Sequence, residues 1–140
     1  MRVVLDTNIV ISALLWGGLP YRLLQLAVAG EIEVLTSPAL LVELAEVPER
    51  THLASRIASQ NMSSAQLLAQ YQSLARNVTP QSVPVVIAAD PDDDQVLACA
   101  VEGHADLIAS GDRHLHSLGG KYSGISIVKA AEAVKRIETA

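Results

Sequence analysis

Short apolar runs alternate along the chain with longer stretches in which apolar residues recur every three or four positions. The runs predict five strands, at residues 2–5, 31–36, 82–88, 106–110 and 125–128. The stretches between them predict helices over residues 9–15, 20–30, 38–47, 51–59, 63–77, 93–102 and 129–137, with a short helical turn within 111–120. Continuously apolar strands are typical of a parallel sheet that is covered on both faces. We therefore expect a three-layer α/β/α fold around a central, mainly parallel sheet of about five strands.

Polar residues mark where several of these elements begin. We expect Thr7 or Asn8 to cap the first helix. Ser37, followed by Pro38, is typical of an N-cap before a first-turn proline. The pattern contains no internal repeat, low-complexity tract or linker. With 140 residues in all, the chain is predicted to form a single domain over residues 1–140.

Composition and charge narrow the functional classes. Hydrophobic residues make up 50% of the chain and charged residues 18%, which favours a globular protein over a disordered one. The apolar runs are shorter than the roughly 20 residues of a membrane helix, so we expect a cytoplasmic protein with no membrane partner. The net charge of −5 is the wrong sign for a general basic surface, so metal ions or a local patch must supply the positive charge that a polyanion needs. The only cysteine, Cys99, is a predicted core residue.

Two aspartates lie where predicted strands end. Asp6 follows the first strand and Asp112 follows the fourth, both in short turns. Ligands of open α/β sheets bind beyond the carboxyl ends of the strands, so such residues are candidates for chemistry. Aspartate is also favoured in turns and at helix starts, and this structural role explains either residue equally well when it is taken alone.

More acids stand at the start of the predicted helix 93–102, where residues 90–94 have the sequence Asp-Pro-Asp-Asp-Asp. One or two carboxylates would satisfy a helix cap and the helix dipole, so the surplus suggests another cause. Asp93 heads the apolar stripe of the helix, with apolar residues three, four and seven positions further on. Asp92 and Asp94 flank this stripe and are expected to be solvated, although Asp94 remains a candidate for an additional or water-mediated ligand.

Glu43 lies within a predicted helix, where a glutamate is usually a solvated helix former. Three of its four neighbours at offsets of three and four are apolar, so its side chain leaves from the edge of the apolar stripe. Glu46 can instead pair with Arg50, four positions later, on the outer face. Glu43 is therefore the better candidate to face inward.

Carboxylates gathered at one place repel one another and raise their own pKa values unless a cation offsets their charge. Mg²⁺ or Mn²⁺ suits such a site, because both ions take oxygen ligands and bridge carboxylates to phosphate. No cluster of Cys and His indicates zinc. His114 and His116 follow Asp112 closely. We interpret them mainly as surface residues of the loop, with substrate contact by one of them as the alternative.

Four blocks of sequence, in order along the chain, resemble the PIN domain family. They are Val-Val-Leu-Asp-Thr-Asn at 3–8, Leu-Val-Glu-Leu at 41–44, Asp-Asp before Val-Leu-Ala-Cys-Ala within 93–100, and Ala-Asp-Leu-Ile-Ala-Ser-Gly-Asp at 105–112. The chain is most similar to the VapC-like branch, described as toxins of toxin–antitoxin pairs. The resemblance implies a parallel sheet of about five strands and an endoribonuclease that depends on Mg²⁺ or Mn²⁺. It also implies frequent homodimers and a small antitoxin partner.

The resemblance also assigns roles to residues. The family's acidic quartet falls on Asp6, Glu43, Asp93 and Asp112, its polar residue after the first acid on Asn8, and its hydroxyl residue before the last acid on Ser110. Many relatives lack an acid at position 94, which leaves Asp94 as a one-residue ambiguity. The first, third and fourth acids would hold the principal metal, and Glu43 would bind the metal through water or help to orient the attacking water. The two polar residues would hydrogen-bond metal-bound water or phosphate. The implied reaction is hydrolysis of RNA phosphodiester bonds, leaving 5′-phosphate and 3′-hydroxyl ends.

Two other functions fit the same acids. A phosphohydrolase or phosphotransferase that forms a phosphoaspartate also uses an Asp after the first strand. It usually has a second Asp two positions later and a lysine near the site, whereas here Asn8 takes that position and no lysine precedes Lys121. A non-catalytic module would bind RNA or an antitoxin and use the acids only to hold metal.

Trp16 and Leu19 are interpreted as core residues, with packing against a second subunit as the alternative.

Overall fold

The computed structural model describes residues 1–46, 56–57 and 63–140. Its strands are β1 (Arg2–Leu5), β2 (Glu33–Thr36), β3 (Arg76–Asn77), β4 (Leu107–Ala109), β5 (Lys121–Tyr122) and β6 (Ile125–Val128). Its helices are α1 (Thr7–Leu15), α2 (Gly18–Val28), α3 (Pro38–Glu46), α4 (Ser64–Leu74), α5 (Pro91–Glu102), α6 (Arg113–His116) and α7 (Ala130–Glu138). The helix predicted over residues 51–59 falls outside the described residues, apart from 56–57.

The strands of the described residues form one sheet in the order β3-β2-β1-β4-β6-β5. Every neighbouring pair is parallel except β5 and β6, which form an antiparallel hairpin. Ser123 and Gly124 close that hairpin with φ angles of 51° and 79°, and a two-residue turn with both φ angles positive matches the twist of the paired strands. The mainly parallel sheet is therefore confirmed, and two short edge strands, β3 and β5, bring it to six strands.

The central strands bury side chains on both faces of the sheet. In β1, Val3 and Leu5 enter one hydrophobic cluster and Val4 enters the other. Residues of α1, α2, α4 and α7 cover the first cluster, and residues of α5 and α6 cover the second. Cys99 is fully buried in the second cluster. This arrangement is the predicted three-layer α/β/α architecture, and it explains why the strands are continuously apolar.

The strand predicted at residues 82–88 is wrong, because this segment is a loop in which only Ile87 is buried. Pro84 lacks a backbone N–H and weakens any strand pairing there. The N–H groups of Val86 and Ile87 donate instead to Oδ1 of Asp94, at 3.0 and 2.8 Å. The edge position beside β2 is occupied by β3, which lies within the segment predicted as the end of a helix.

Side chains cap α1 and α3, two of the helices that begin at the carboxyl edge of the sheet. Asp6, rather than Thr7 or Asn8, caps α1, and its Oδ1 accepts a hydrogen bond from the Thr7 N–H at 2.8 Å. Ser37 caps α3 as predicted, since its hydroxyl oxygen accepts from the N–H of Leu40 at 3.3 Å. The first cap places a carboxylate directly at the end of β1.

The junction of α1 and α2 lies at the surface. Trp16 and Leu19 were predicted to be core residues, but their exposures are 54% and 49%. The reason is that Gly17 and Gly18 adopt φ angles of 77° and 71° and turn the chain through a sharp bend, which leaves the residues beside it on the outside. In the described part of the chain, no single helix is long and apolar enough to cross a membrane; α1 and α2 pass that test only as a pair, bent by 94°.

Candidate metal centre

The adjacent parallel strands β1 and β4 bring the residues that follow them to the same edge of the sheet. Asp6 follows β1 and Ser110 follows β4, and both are buried. The hydroxyl of Ser110 donates to Oδ2 of Asp6 at 2.7 Å. The same hydroxyl oxygen accepts from the N–H of Asp112 at 2.9 Å. Ser110 therefore links two of the acids that the sequence placed at strand ends.

The first turn of α5 directs further carboxylates toward the same edge. One ligand atom from each of Asp90, Asp93, Asp112 and His114 lies within 4.8 Å of the others. The Asp93 side chain is buried, and its Oδ2 has no hydrogen-bond partner among the described residues. Nearly all buried polar atoms in proteins have a partner, so this oxygen marks a position that something other than the described residues satisfies.

His114 lies at the border of this acidic group. Asp112 caps α6, and its Oδ1 accepts from the backbone N–H of His114 at 2.6 Å. The ring Nδ1 of His114 is 3.6 Å from Oδ1 of Asp112 and 3.8 Å from Oδ2 of Asp93. These separations are too long for hydrogen bonds, and Nδ1 is buried without a partner in the described structure. A buried imidazole nitrogen and a buried carboxylate oxygen, neither with a partner among the described residues, thus lie 3.8 Å apart.

The buried acids destabilise one another's charged forms. Burial, followed by the charges of Asp112, Asp90 and Asp6, raises the pKa of Asp93 to about 8. Burial also raises the pKa of Asp6, although the hydrogen bonds from Ser110 and from the adjacent backbone lower it in part. A cation at this edge of the sheet would reverse both shifts, because it stabilises the ionised carboxylates.

Glu43 stands next to this cluster on α3 and is half-buried. Burial, followed by the charges of Asp92 and Asp6, raises its pKa to about 7, while a hydrogen bond with the Thr7 side chain lowers it. The charge of Asp6 therefore affects the pKa of Glu43, so Glu43 lies close to the other predicted acids. Its carboxylate is not one of the four groups whose ligand atoms lie within 4.8 Å of one another.

Asp94 occupies a different environment from Asp93. It was expected to be solvated, but it is buried, and its Oδ1 accepts from two backbone N–H groups of the loop before α5. Its hydrogen bonds therefore secure that loop, and the structure does not bring Asp94 into the cluster. Asp92 is exposed, as expected. Asn8 is exposed on the first turn of α1, next to Asp6.

Sequence reasoning missed two members of the cluster. Asp90 caps α5, because its Oδ1 accepts from the N–H of Asp92 at 3.1 Å. The sequence had indicated a cap among the acids at 90–94 without singling out Asp90. His114 was interpreted mainly as a surface residue, and its spacing of two from Asp112 was the available signal. Thr7, which meets Glu43, had been considered only as a cap.

The donor set fits a divalent cation. The residues that converge here offer carboxylate oxygens and one imidazole nitrogen, and one of the oxygens is buried and unpartnered. Carboxylate oxygens are the ligands that Mg²⁺ and Mn²⁺ prefer in proteins. The geometry can therefore gather a cation and a phosphate at the carboxyl edge of the sheet, the usual ligand position of an open α/β fold.

Comparisons with known proteins agree with this architecture. A family model described as PIN domain matches residues 2–114. A solved chain in a complex described as VapBC2 from Rickettsia felis, bound to a DNA fragment from their promoter, has a similar fold with a TM-score of 0.60. The two sequences are 14% identical, and the match covers 91% of this chain and 97% of that chain, so the similarity shows the fold alone. No curated protein matches the sequence.

Proposed function

The chain belongs to the PIN domain family, and on that premise we propose that it is a metal-dependent endoribonuclease. Members of this family are generally nucleases that use divalent metal ions. The observation that carries the proposal is the Oδ2 atom of Asp93, which is buried beside Asp90 and Asp112 and has no partner among the residues that the structure describes. A buried charge without a partner costs several kcal/mol, and a bound cation removes that cost.

The proposed ligands of the cation are Asp6, Asp93 and Asp112. Their pattern of hydrogen bonds supports this role. Ser110 bonds to the Asp6 side chain and to the backbone of Asp112, whereas Oδ2 of Asp93 has no partner in the described part of the chain. Mg²⁺ or Mn²⁺, when bound, would lower the pKa of a water molecule and offset negative charge on the phosphate. The ion would also supply the positive charge that a chain with a net charge of −5 otherwise lacks for binding RNA.

Glu43 is the proposed group that orients the attacking water and accepts its proton. Its pKa of about 7 lies near neutral pH, and a cation beside it would draw the pKa lower. The carboxylate would then be ionised at neutral pH and able to take a proton, while the Thr7 side chain holds it in place.

Two polar residues have proposed supporting roles. Ser110 acts as a positioning residue, since both hydrogen bonds of its hydroxyl go to proposed ligands of the cation, Asp6 and Asp112. Asn8 is exposed beside Asp6 and is proposed to contact phosphate or water. Arg113, exposed on α6 next to Asp112, offers a cation to the RNA backbone.

The test is cleavage of mixed cellular RNA by the purified protein, with Mg²⁺ or Mn²⁺ added and with EDTA. We expect cutting that requires metal and leaves 5′-phosphate and 3′-hydroxyl ends. The variant Asp6→Asn keeps a capping oxygen for α1 and should lose cutting while still folding and binding RNA. The matched control is Asp106→Asn, since Oδ2 of Asp106 accepts from the N–H of Arg2 at the opposite edge of the sheet. That variant should cut normally.

Other outcomes would replace the proposal by one of its competitors. Cutting that persists in EDTA or in the Asp6→Asn protein contradicts it. A phosphoenzyme, or release of inorganic phosphate in place of cut RNA, would indicate a phosphohydrolase. RNA binding without any cutting, with metal bound, would indicate a non-catalytic module.

The proposal extends to a protein partner. A groove of about 540 Å³ between α1, α2 and α4 is lined largely by apolar residues, and Tyr21 and Val28 at its margin are exposed. Such a patch is typical of a protein interaction surface. We propose that a second copy of the chain covers it. Sedimentation velocity of the purified chain should show a dimer that Val28→Glu dissociates, and a native chain that sediments as a monomer would contradict this. A small antitoxin is a separate proposed partner, and loss of its complex with the chain in Val28→Glu alone would assign the groove to the antitoxin instead.

A further inference from the structure

The spacing of His114 from its acidic neighbours fits joint coordination of an ion. Its Nδ1 lies 3.6 Å from Oδ1 of Asp112 and 3.8 Å from Oδ2 of Asp93. Two ligand atoms that each lie about 2.1 Å from one ion, at angles between octahedral and tetrahedral, are about 3.0 to 3.4 Å apart. The observed separations are slightly wider than that, so a contraction of a few tenths of an ångström would bring Nδ1 to the spacing at which it can share an ion with either oxygen.

We propose that His114 and Asp90 complete the metal centre, and that the imidazole selects a first-row transition ion, with Mn²⁺ as its representative, over Mg²⁺. The inference rests on the proposed function, because it concerns the same cation. Two independent observations carry it. One ligand atom of each of the four groups lies within 4.8 Å of the rest, and Nδ1 of His114 and Oδ2 of Asp93 are both buried without partners in the described residues.

The chemistry of the donor atoms gives the preference. Mg²⁺ demands near-ideal octahedral geometry with oxygen ligands and gives up water reluctantly, whereas transition ions accept imidazole nitrogen readily. A site with oxygen donors alone binds both kinds of ion. Adding one nitrogen donor strengthens the binding of the transition ion more than that of Mg²⁺. Asp90 adds a fourth negative charge to those of the proposed ligands Asp6, Asp93 and Asp112, which increases the affinity for any divalent cation.

The competing role for His114 is that of an internal counter-ion. A protonated ring would form ion pairs with Asp93 and Asp112 and would need no metal. The two roles predict opposite results, since a protonated imidazole cannot bind a metal and would compete with it.

The first experiment measures the affinity of the full chain for Mn²⁺ and Mg²⁺ by isothermal titration calorimetry. His114→Ala should weaken Mn²⁺ binding by about tenfold or more and Mg²⁺ binding by less than about threefold. The matched control is His104→Asn. His104 is exposed at the far end of α5 with a φ of 53°, a conformation that Asn tolerates, so both affinities should be unchanged.

The second experiment observes the ligand directly. Pulsed electron paramagnetic resonance of the Mn²⁺-loaded protein, with its histidines labelled with ¹⁵N, should show a nitrogen coupling. The coupling should disappear in His114→Ala and persist in His104→Asn. Circular dichroism of each variant establishes that it is folded.

The outcomes separate the inference from the function on which it rests. Binding of metal without a nitrogen coupling, or equal losses of Mn²⁺ and Mg²⁺ affinity in His114→Ala, overturns the inference and leaves the metal-dependent nuclease in place. Tighter metal binding by His114→Ala overturns it in favour of the counter-ion role. A native chain that binds neither ion contradicts both the inference and the proposed function.

Discussion

Two neighbouring aspartates in the first turn of α5 face two different regions of the molecule, the acidic cluster and the loop before the helix. Asp93 and Asp94 are 3% and 5% exposed, so both carboxylates are removed from water. Two backbone N–H groups of the loop before the helix donate to the Asp94 carboxylate and offset the cost of burying it. Oδ2 of Asp93, by contrast, has no partner within the described residues. A fold can satisfy a buried carboxylate locally, and where it does not, the unsatisfied group indicates a ligand. The difference separates the proposed metal centre from its structural support.

The largest expected effect is on the rate of RNA cleavage. Asp93→Asn should reduce the rate by about a thousandfold or more, because a lost metal removes several kcal/mol of stabilisation from the transition state. Asp94→Asn should cut at a rate within a few times that of the native chain. Single-turnover cleavage with excess protein and saturating Mn²⁺ measures both rates. If Asp94→Asn alone abolished cutting, the roles of the two aspartates would have to be exchanged.

The reciprocal effect concerns stability. Asp94→Ala leaves the N–H groups of Val86 and Ile87 without their acceptor and should lower the free energy of unfolding by about 2 to 3 kcal/mol. Asp94→Asn retains an acceptor oxygen and should lose less, about 1 kcal/mol. Urea unfolding in EDTA measures these changes. An unchanged midpoint in Asp94→Ala would show that the loop does not depend on this carboxylate.

A smaller effect is the pH dependence of stability without metal. The pKa values of Asp93 and Glu43 rise from 3.8 and 4.5 to about 8 and about 7 on folding. At pH values between the unfolded and the folded pKa, the folded state holds protons that the unfolded state has released. The free energy of unfolding must therefore fall as the pH rises from about 4 to 8 and then level off.

Urea unfolding in EDTA at pH 5, 6.5 and 8 should show this fall, on the order of several kcal/mol in total. Asp93→Asn should make the slope shallower, and saturating Mn²⁺ should abolish it, because the ion binds only the ionised carboxylates. Stability that increases with pH in the metal-free native chain would contradict the account of the cluster.

The smallest effect is expected at Asp90. Asp90→Asn keeps an oxygen that can accept from the N–H of Asp92, so α5 retains its cap and the unfolding midpoint should not change. Loss of one negative charge should weaken Mn²⁺ binding by roughly three- to tenfold. Calorimetric titration measures the affinity, and Asp92→Asn, which removes an exposed charge from the same turn, serves as the control. Equal losses in the two variants would reduce the role of Asp90 to a general electrostatic one.

The sequence predicted the layers of the fold because its apolar periodicity follows directly from burial. The bounds of β1 and β6 agree with the predicted strands, and Ser37 caps α3 as expected. The loop at residues 82–88 could not be predicted in the same way. Its apolar residues have the composition of a strand, and its true conformation depends on a hydrogen bond to a side chain, Asp94, that periodicity does not describe.

The candidate site was predictable to the extent that strand ends determine it. Asp6 and Asp112 follow strands that are neighbours in the sheet, so their positions required only the topology. Asp90 and His114 required three-dimensional geometry, because each already had a sufficient local explanation, as a cap and as a surface residue. The choice between Asp93 and Asp94 rested on the apolar stripe of α5, and the hydrogen bonds of Asp94 are consistent with that choice.

Equilibrium binding of Mn²⁺ to the native chain, Asp93→Asn and Asp94→Asn tests most directly whether the acidic edge of the sheet is a metal centre. Calorimetric titration of the three folded proteins under one set of conditions is sufficient. The native chain and Asp94→Asn should bind Mn²⁺ with similar affinity, and Asp93→Asn should bind it about a hundredfold more weakly or not at all. Undiminished binding by Asp93→Asn, or no binding by the native chain, would contradict the assignment of this site.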